Sequence, residues 1–383
     1  MRKIFKYLDK TLLIITLILF IFGLIMVFSA SNVTAYMSHA VSPYRYFIKQ
    51  GAFLLVGFII SFFLIRFNTR SYNYFYWPFI IISIVSLGLV LVFGTINNQA
   101  KSWFEIGPIS IQPSEFVKVI VIVFLACYYD INKKKLNKWT VSLFPIAICL
   151  IIAVLIFAQP DLGTTIIFAC IVGAIFLSVP ISKEIKFKTT FLTFGLLFFG
   201  IVVILGSGKG VLLQRQLERF NFTDPCSRIL DDGNQVCNCY IAINNGGLTG
   251  VGLGNSTQKY LYLPEPYTDF IFAIIVEELG VITGIILIFA YIVVLYRILL
   301  IGRQCPNNRG ATICYGVAIY IFLHIAINLM GIMGMMPMTG VPLPFISYGG
   351  SFTTSLIIAL TLVQRISFEN AVMKEKKKKK YLL

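Results

Sequence analysis

Long apolar runs, separated by short polar stretches, dominate the pattern along this chain. Ten such runs occur, at residues 11–30, 48–67, 74–94, 114–130, 141–158, 164–181, 189–206, 269–296, 310–334 and 351–368. Runs of about 20 residues are long enough for a helix to cross the hydrocarbon core of a membrane. Residues 141–181 are too long for one span and are divided by polar residues, so we predict a helical hairpin there. The pattern therefore predicts an all-α polytopic membrane protein with ten transmembrane helices and a long extracellular loop between the seventh and eighth.

Composition agrees with a membrane protein and excludes an ordinary soluble domain. Of the 383 residues, 58% are hydrophobic and only 13% are charged, whereas soluble domains carry about 25% charged residues. The first apolar run follows Arg2, Lys3, Lys6 and Lys10, as in a signal peptide, but it is too long for one and no small-x-small cleavage site is evident. We predict that it is retained as the first span.

Basic residues divide the predicted loops into two sets. With the N-terminus inside, most of the 32 Lys and Arg residues fall in inner segments, as the positive-inside rule requires. We therefore predict that both termini are cytoplasmic, with one membrane domain over residues 1–368 and a basic tail over 369–383. The tail would attract anionic membrane lipid. A nucleic-acid partner is not expected, because no aromatic residues are interleaved with the lysines for stacking.

The longest polar segment, residues 207–268, is predicted to lie outside the cell and to carry function. Apolar residues recur at helical spacing over 212–222, which favours a short interfacial helix. Glycines recur over 246–254. They favour a flexible loop over a phosphate-binding turn, because the dinucleotide fingerprint and its preceding strand are both missing.

The eight cysteines and two histidines show no metal-binding spacing. In the long loop a Cys226–Cys237 bridge is one possibility, and it would leave Cys239 over. His324 lies in a predicted span and is expected to be a packing residue rather than a ligand. Four cysteines fall in apolar runs and are predicted to pack in the core: Cys127, Cys149, Cys170 and Cys314.

Asp269 is the strongest single candidate for a functional residue. It lies where the polar segment 263–268 (LPEPYT) meets a long apolar run. A charge near hydrocarbon costs about 2.5–3.5 kcal/mol, so a carboxylate there is a functional-site candidate. Glu277 and Glu278 follow about two helical turns later, which predicts that they lie about 12 Å deeper, with Glu277 facing the same cavity as Asp269.

Three predicted outer segments share a proline, then polar or acidic residues, then a span: 112–115 (QPSE), 159–161 (QPD) and 263–265 (LPE). A proline and an acid suit the first turn of any helix, which is a purely structural explanation. Three such segments on one membrane face favour a shared polar cleft. Glu115 and Lys118 lie three positions apart on one helix face. They either only pair with each other, or Lys118 meets an anionic ligand and Glu115 orients it.

Residues 337–351 (PMTGVPLPFISYGGS) contain too many prolines and glycines for a regular helix. Irregular backbone survives at membrane depth only where protein or water satisfies its polar groups. We expect this segment to line a cavity and to offer hydroxyl groups for hydrogen bonds.

Taken in chain order, these segments resemble those of the SEDS family (shape, elongation, division and sporulation). The matching stretches are 101–103 (KSW), 112–118 (QPSEFVK), 159–164 (QPDLGT), 246–254, 258–265, 268–270 (TDF), 277–280 (EELG) and 340–351. The resemblance implies a peptidoglycan glycosyltransferase with ten spans and cytoplasmic termini, which polymerises lipid II at the outer face of the bacterial cytoplasmic membrane. It also implies a class B penicillin-binding protein as the transpeptidase partner. Residues 244–247 and 255–260 fit the cell-division (FtsW-like) branch slightly better than the elongation (RodA-like) branch.

Motif by motif, the resemblance implies that Asp269 is the catalytic residue. It also implies functional roles for Glu115, Lys118 and Asp161. We predict further substrate contacts in the matching stretches, at Lys101, Gln258, Lys259, Glu265 and Ser347.

Two positions depart from the family pattern. The family usually has Arg before the Trp of the first outer loop, and here Ser102 stands before Trp103. An anion contact at that position is therefore left open, with Lys101 one residue earlier. Tyr267 stands where the family commonly has His, so the chemistry does not need a histidine there.

The expected chemistry accounts for these residue types. A sugar hydroxyl attacks an anomeric carbon whose leaving group is lipid pyrophosphate. Pyrophosphate leaves readily, so one general base suffices where glycoside hydrolases need two carboxylates. We predict that Asp269 is that base and that the α-linked donor is inverted to a β-1,4 bond. The departing charge would be stabilised by Lys118, Lys101 or Lys259, or by a divalent cation such as Mg²⁺ or Mn²⁺.

Two other functions fit parts of the pattern. A lipid II flippase or transporter also has many spans, broken helices and membrane acids. No inverted repeat is visible, however, and the polar motifs lie on one face rather than at the midplane. A non-catalytic scaffold of the division or elongation machinery would not need the acid at position 269.

Overall fold

The computed structural model describes residues 6–37, 41–97, 100–107, 109–191, 225–228, 233–260 and 262–380. Nine of its helices lie over predicted spans: α1 (Lys10–Met37), α2 (Arg45–Leu64), α3 (Tyr72–Phe93), α4 (Pro113–Ile131), α5 (Trp139–Phe157), α6 (Leu162–Ser178), α8 (Ile271–Arg303), α9 (Asn308–Ile332) and α10 (Gly350–Lys380). A further helix, α7 (Gly233–Gly246), lies in the predicted long loop, and short 3-10 helices cover Thr69–Ser71 and Pro225–Arg228. Residues 183–191 are also helical.

The predicted all-α polytopic membrane class is confirmed, whereas the long extracellular loop stays a prediction. Among the described residues, seven helices are long and apolar enough to cross a membrane, and α6 is a shorter apolar helix. Helix α4 has a span's length but carries Glu115, Lys118 and Asp130. The run 189–206 and the helix expected over 212–222 lie outside the described residues, apart from 189–191, so the count of ten spans stays a prediction.

A small antiparallel sheet, which the apolar pattern did not predict, connects α3 to α4. Its strands are β1 (Thr95–Asn97), β2 (Ala100–Ile106) and β3 (Ile109–Ile111), in the order β1-β2-β3. In the register, Thr95 lies opposite Trp103 and Phe104 opposite Ile111. The buried Ser102 hydroxyl donates to the Gln159 carbonyl at 3.4 Å. The sheet therefore contacts the loop before α6.

The basic end of the bundle, where α1 begins and α8 ends, is held by a polar junction. Arg297 of α8 pairs with the Asp9 carboxylate. The same carboxylate accepts the Leu12 backbone N–H at 2.8 Å, which caps the start of α1. Gln364 of α10 donates to the Asp9 carbonyl at 3.0 Å. This junction fixes three helices relative to one another.

Helix α8 consists of two helices that meet at Gly280, where the backbone leaves helical geometry (φ 85°, ψ 164°). Side chains from before the break touch the helix after it: a Cβ built on Gly284 would lie 3.1 Å from Val276 and 3.3 Å from Phe272. In one continuous helix, Phe272 and Gly284 would be about 18 Å apart. The chain therefore reverses at Gly280. A side chain there would also collide with the Leu248 carbonyl, 2.2 Å from the built Cβ.

The segment between α9 and α10 is irregular, as predicted, and it forms part of the core. Leu343, Phe345 and Ile346 are buried in it. Helix α1 approaches it so closely that a Cβ on Gly23 would lie 2.3 Å from the Phe345 carbonyl oxygen. Tyr291 of α8 donates to the Pro344 carbonyl at 2.7 Å, which satisfies one of its backbone groups.

Candidate functional site

Asp269 precedes α8, is half-buried, and has its backbone tied to the irregular segment. The Ser347 hydroxyl donates to the Thr268 carbonyl at 2.5 Å. The Asn328 amide donates to the Asp269 carbonyl and to the Val341 carbonyl, both at 2.8 Å. These bonds fix the direction in which the Asp269 side chain leaves the backbone. The predicted site residue Ser347 thus binds the main chain next to Asp269 and helps to position it.

Gly340 faces the Asp269 carboxylate. A Cβ at Gly340 would lie 3.7 Å from Asp269 Oδ2, and its φ of 67° disfavours any other residue. Next to it, the Tyr348 N–H donates to the Tyr267 carbonyl at 2.9 Å. A residue without a side chain therefore leaves room beside the carboxylate.

Contacts along α1 show how far Asp269 and Glu278 lie from the basic end. The ring of Phe345, in the segment that holds Asp269, packs on Phe20 with 5.1 Å between centroids. The Ser29 hydroxyl donates to Glu278 at 2.6 Å. Ser29 lies about 13 Å beyond Phe20 along the helix axis. Because the chain reverses after these residues, Glu278 is farther from the basic end than Asp269, and the prediction that the glutamate pair lies deeper is wrong.

Glu115 and Lys118 form a buried ion pair on α4, with 2.9 Å between Oε1 and Nζ. Pro113 opens this helix and Glu115 lies in its first turn, as predicted. The Lys118 ammonium also lies 3.1 Å from His324 Nε2 and 5.5 Å from the centre of the Tyr320 ring. Glu115 Oε2 has no hydrogen-bond partner. The two residues do pair, and a contact of either one with an anionic ligand stays a prediction.

Helix α9 connects this ion pair to Asp269. His324 and Asn328 are four positions apart and therefore lie on the same face, about 6 Å apart along the axis. His324 contacts the Lys118 ammonium, and Asn328 holds the Asp269 backbone. Helix α9 thus brings two of the predicted functional residues to neighbouring turns of one helix face.

Asp161 caps α6. Its carboxylate accepts the Thr164 N–H at 3.0 Å and the Thr164 hydroxyl at 2.8 Å. It also accepts the Gln112 amide at 3.1 Å, and the Gln112 N–H donates to Ser351 at 2.9 Å. Asp161 therefore links the starts of α6, α4 and α10. A direct contact with substrate stays a prediction.

The Glu277 carboxylate is bonded by protein donors, and a cavity shared with Asp269 stays a prediction. Its carboxylate accepts hydrogen bonds from the segment after the glycine series: the Ser256 hydroxyl, the Thr257 hydroxyl at 2.8 Å and the Gln258 N–H at 3.3 Å. All of these donors belong to a loop that folds onto the break in α8. Glu277 is thus an anchor for that loop.

Glu278 is bound as completely as its neighbour. Lys259 donates to Glu278 at 2.9 Å and to the Gly254 carbonyl at 2.6 Å, and its side chain is 1% exposed. Ser29 donates to both carboxylate oxygens, at 2.9 and 2.6 Å. Lys259 was predicted to contact substrate. Its ammonium is engaged by protein acceptors, and a contact with substrate stays a prediction.

The glycine series forms an ordered loop rather than the flexible one predicted. Gly250, Gly252 and Gly254 have φ of 82°, 100° and 85°, and the Gly252 N–H donates to the Glu278 carbonyl at 2.9 Å. A Cβ on Gly250 would lie 2.3 Å from the Glu278 carbonyl oxygen. Close approach of two backbones accounts for the glycines.

Three other predicted contacts occupy different surroundings. Lys101, on β2, donates to the Val92 carbonyl at 2.9 Å. Glu265 is half-buried and its carbonyl accepts the Thr268 hydroxyl at 2.8 Å; its φ of 52° belongs to a turn, so Pro264 does not open α8. Gln258 is buried, and its side-chain oxygen has no partner. Substrate contacts by these three residues stay predictions.

Helix α7 is fastened at both ends. A Cys226–Cys237 disulfide joins it to the 3-10 turn before it, and Cys239 remains a buried thiol. Tyr240 donates to the Met333 carbonyl at 2.8 Å, and a Cβ on Gly246 would lie 2.0 Å from the Val276 carbonyl oxygen. The helix therefore packs against both α8 and the end of α9.

In the part of the chain that the structure describes, no group of three or more His, Cys, Asp or Glu side chains is placed to hold a metal ion. The predicted divalent cation has no evident ligand set among these residues, and none of the steps below involves one.

Comparisons with known proteins place this arrangement in a family. The model of the FtsW/RodA/SpoVE family of cell cycle proteins matches residues 10–372. The chain belongs to this family. The predicted resemblance, which rested on motifs in the same order, is confirmed.

Relatives in the FtsW/RodA/SpoVE family match the whole chain. The chain is 36% identical over 388 residues to the probable peptidoglycan glycosyltransferase FtsW of Bacillus subtilis (strain 168), covering 100% of this chain and 96% of that protein. It is 34% identical over 370 residues to stage V sporulation protein E of the same organism, covering 94% and 96%. A probable FtsW of Wigglesworthia glossinidia brevipalpis is 36% identical over 381 residues, covering 97% and 96%.

Solved structures share the fold. A chain from the structural study of a peptidoglycan synthase complex that coordinates polymerization and crosslinking matches with a TM-score of 0.75 at 22% identity, covering 95% of this chain and 98% of that one. The rod shape determining protein RodA of Thermus thermophilus matches with a TM-score of 0.66 at 22% identity, covering 94% and 96%.

Two residues that contact the candidate site were not predicted. Asn328 was not singled out in the sequence, and His324 was expected only to pack. A usable signal existed, because two polar residues four positions apart in an apolar run share a helix face, and polar groups inside a membrane span are functional candidates.

Proposed function

We propose that Asp269 is the general base with which this chain polymerises lipid II. The chain is a peptidoglycan glycosyltransferase, like full-length relatives at 36% identity. One observation carries the assignment of the site: α9 holds the Asp269 backbone through Asn328 and the Lys118 ammonium through His324, one helical turn apart. A base and a cation are thus positioned by one rigid element.

Asp269 takes the proton from the acceptor 4-hydroxyl of one lipid-linked sugar as the oxygen attacks the anomeric carbon of the other. The new glycosidic bond forms as the bond to pyrophosphate breaks, and the single displacement inverts the α-linked donor to a β-1,4 product. General base catalysis of this kind contributes about 10²–10⁴-fold. The backbone bonds from Asn328 and Ser347 hold the carboxylate in place for this step.

Lys118 meets the negative charge that develops on the departing pyrophosphate. A cation that is already oriented and desolvated stabilises such charge more strongly than one in water. The Lys118 ammonium pairs with Glu115 Oε1, while Glu115 Oε2 has no protein partner. The membrane holds both lipid-linked substrates in one plane, which favours their alignment.

The chain lies in the membrane with its basic end on the cytoplasmic side. Arg297 and Arg303 end α8 there, and α10 carries further lysines beyond Lys374. The positive-inside rule then places both termini in the cytoplasm and Asp269 towards the outer face, where lipid II is polymerised. The Cys226–Cys237 bridge supports this orientation, because disulfides persist outside the cytoplasm.

A class B penicillin-binding protein would cross-link the strands that this chain makes. The support is the solved peptidoglycan synthase complex, whose title joins polymerization to crosslinking and whose matched chain has this fold. The relatives named FtsW favour a cell-division partner over an elongation partner.

The test is Asp269→Asn in the full-length protein, purified with and without its transpeptidase partner and supplied with lipid II. The amide keeps the shape but cannot accept the proton, so we expect glycan synthesis to fall about 10²–10⁴-fold. Unfolding temperature measured in parallel controls for loss of fold. A folded variant that makes glycan at the normal rate would disprove the base assignment.

The alternative functions predict other outcomes. A flippase, tested as the unchanged protein in reconstituted vesicles, would move lipid II across the bilayer without forming chains. A scaffold would support growth with Asp269→Asn. The buried Lys118–Glu115 pair lies one turn of α9 from the Asn328 bond to the Asp269 backbone. Catalysis needs such a cation near the base, and a scaffold does not.

A further inference from the structure

We infer that His324 is a positioning residue for Lys118: its ring accepts a hydrogen bond from the ammonium and aims it at the leaving group. This inference rests on the proposed function, which takes Lys118 as the group that meets the departing charge. It adds a role for a histidine whose sequence context predicted only packing.

The direction of the hydrogen bond follows from the two groups involved. A lysine ammonium has three N–H donors and no acceptor, so His324 Nε2, 3.1 Å away, is the acceptor. The ring is therefore neutral and carries its proton on Nδ1. This tautomer is assigned from the hydrogen-bond partner.

Lys118 is thus held by two acceptors from two helices. Glu115 of α4 accepts one N–H at 2.9 Å and His324 of α9 accepts a second. With Glu115 alone, the ammonium could rotate about its bond to that carboxylate. Two acceptors fix its orientation and leave one N–H for an anionic ligand.

The ring of His324 is itself fixed on both sides. Phe352 stacks on it with 4.6 Å between ring centroids, and Tyr320 meets it edge-on at 4.8 Å. The Tyr320 hydroxyl lies 3.0 Å from the Ser355 hydroxyl, which restrains that ring as well. His324 is 1% exposed. An acceptor held this rigidly can define the direction of a flexible lysine side chain.

The decisive comparison is between two substitutions at position 324. His324→Phe keeps an aromatic ring of similar shape but has no acceptor, whereas His324→Gln loses the ring and keeps an acceptor oxygen. Steady-state synthesis with lipid II should show kcat about 10–100-fold lower for His324→Phe, since misplaced catalytic groups cost that order of rate. His324→Gln should recover to within about threefold of the parent.

A packing role predicts the reverse order, with Phe at least as active as Gln, and that result would overturn the inference. Unfolding temperatures show whether both variants fold. If His324→Phe does not, His324→Leu replaces it in the same comparison with Gln, because Leu also has no acceptor.

A double-mutant cycle with Lys118→Met separates this inference from the proposed function. If His324 acts through Lys118, then His324→Phe should lower activity by less than about twofold in the Lys118→Met background. A full effect in that background would overturn it. If Lys118→Met proves fully active, Lys118 has no role in the reaction and the proposed function is wrong on that point. The double-mutant cycle then uses unfolding temperatures instead of activity. Additive shifts in unfolding temperature would show that His324 does not position Lys118.

Discussion

Two lysine–glutamate pairs are buried in the part of the chain that the structure describes, and they differ in how completely their carboxylate oxygens are bonded. Lys118–Glu115 and Lys259–Glu278 have the same Nζ–Oε distance, 2.9 Å, and side chains at most 4% exposed. Both oxygens of Glu278 have a donor, because they share one bifurcated hydrogen bond from the Ser29 hydroxyl and Oε1 also accepts from Lys259. Glu115 keeps one oxygen without a partner.

We expect this difference to separate a structural pair from a functional one. Nearly all buried polar groups in native proteins have hydrogen-bond partners, so an exception calls for an explanation such as bound water or ligand. Unpartnered buried atoms occur beside both pairs, with the Ser114 hydroxyl next to Glu115 and the Gln258 side-chain oxygen next to Lys259, so the contrast lies in the two carboxylates themselves. The Lys259–Glu278 pair, whose carboxylate oxygens both have donors, holds the glycine-series loop on α8. The Lys118–Glu115 pair, which has one oxygen without a partner, contacts α9 one turn from the residue that binds the Asp269 backbone.

The largest expected effect is on activity. Lys118→Met should lower glycan synthesis about 100-fold per folded molecule, because the departing charge loses an oriented cation. The matched variant Lys259→Met should keep activity within about threefold at a temperature where both are folded, since that ammonium serves the loop. Lipid II polymerisation by purified protein measures both. Equal losses of activity in the two variants would show that the number of hydrogen bonds to the carboxylate does not distinguish a functional pair from a structural one.

An intermediate effect is expected on stability. Lys259→Met leaves Glu278 buried without a counter-charge, which typically destabilises a protein by about 3–5 kcal/mol. The double variant Lys259→Met/Glu278→Leu removes both charges and should recover most of this loss in denaturant unfolding. If the double variant were less stable than the single one, the loss in Lys259→Met could not be explained by the unpaired Glu278 charge.

The smallest expected effect compares two serines. Ser29→Ala removes the hydroxyl that both oxygens of Glu278 share, and a lost hydrogen bond to a charged group costs about 1.5–3 kcal/mol. Ser114→Ala removes a buried hydroxyl without a protein partner, so stability should stay the same or rise. Thermal unfolding of both variants checks the contrast. A larger loss for Ser114→Ala would mean that its hydroxyl is satisfied in the folded protein.

Much of the fold could be predicted from apolar runs, because a long apolar segment has few stable arrangements in a membrane. The small sheet was missed because strands of three to seven residues leave little pattern. The reversal at Gly280 was missed because one glycine in an apolar run also fits a continuous helix. That single error placed Glu277 and Glu278 on the wrong side of Asp269.

The sequence predicted which residues are candidates for the site, but it did not predict which residues contact one another. Asp269, Glu115 and Lys118 stood out by their chemistry, since charges in apolar surroundings are rare. Asn328 and His324 did not, because their roles depend on what faces them. Lys259 stood out equally and proved to be engaged by Glu278.

The sequence by itself determined the class of protein, its helices and its family, because hydrophobic length and local motifs act over short stretches of chain. Only the tertiary structure decided which charges are saturated and which stay open. Those contacts join residues far apart, such as Lys118 and His324 at a separation of 206 positions, or Ser29 and Glu278 at 249. Packing of whole helices brings such residues together, and no local pattern records that packing.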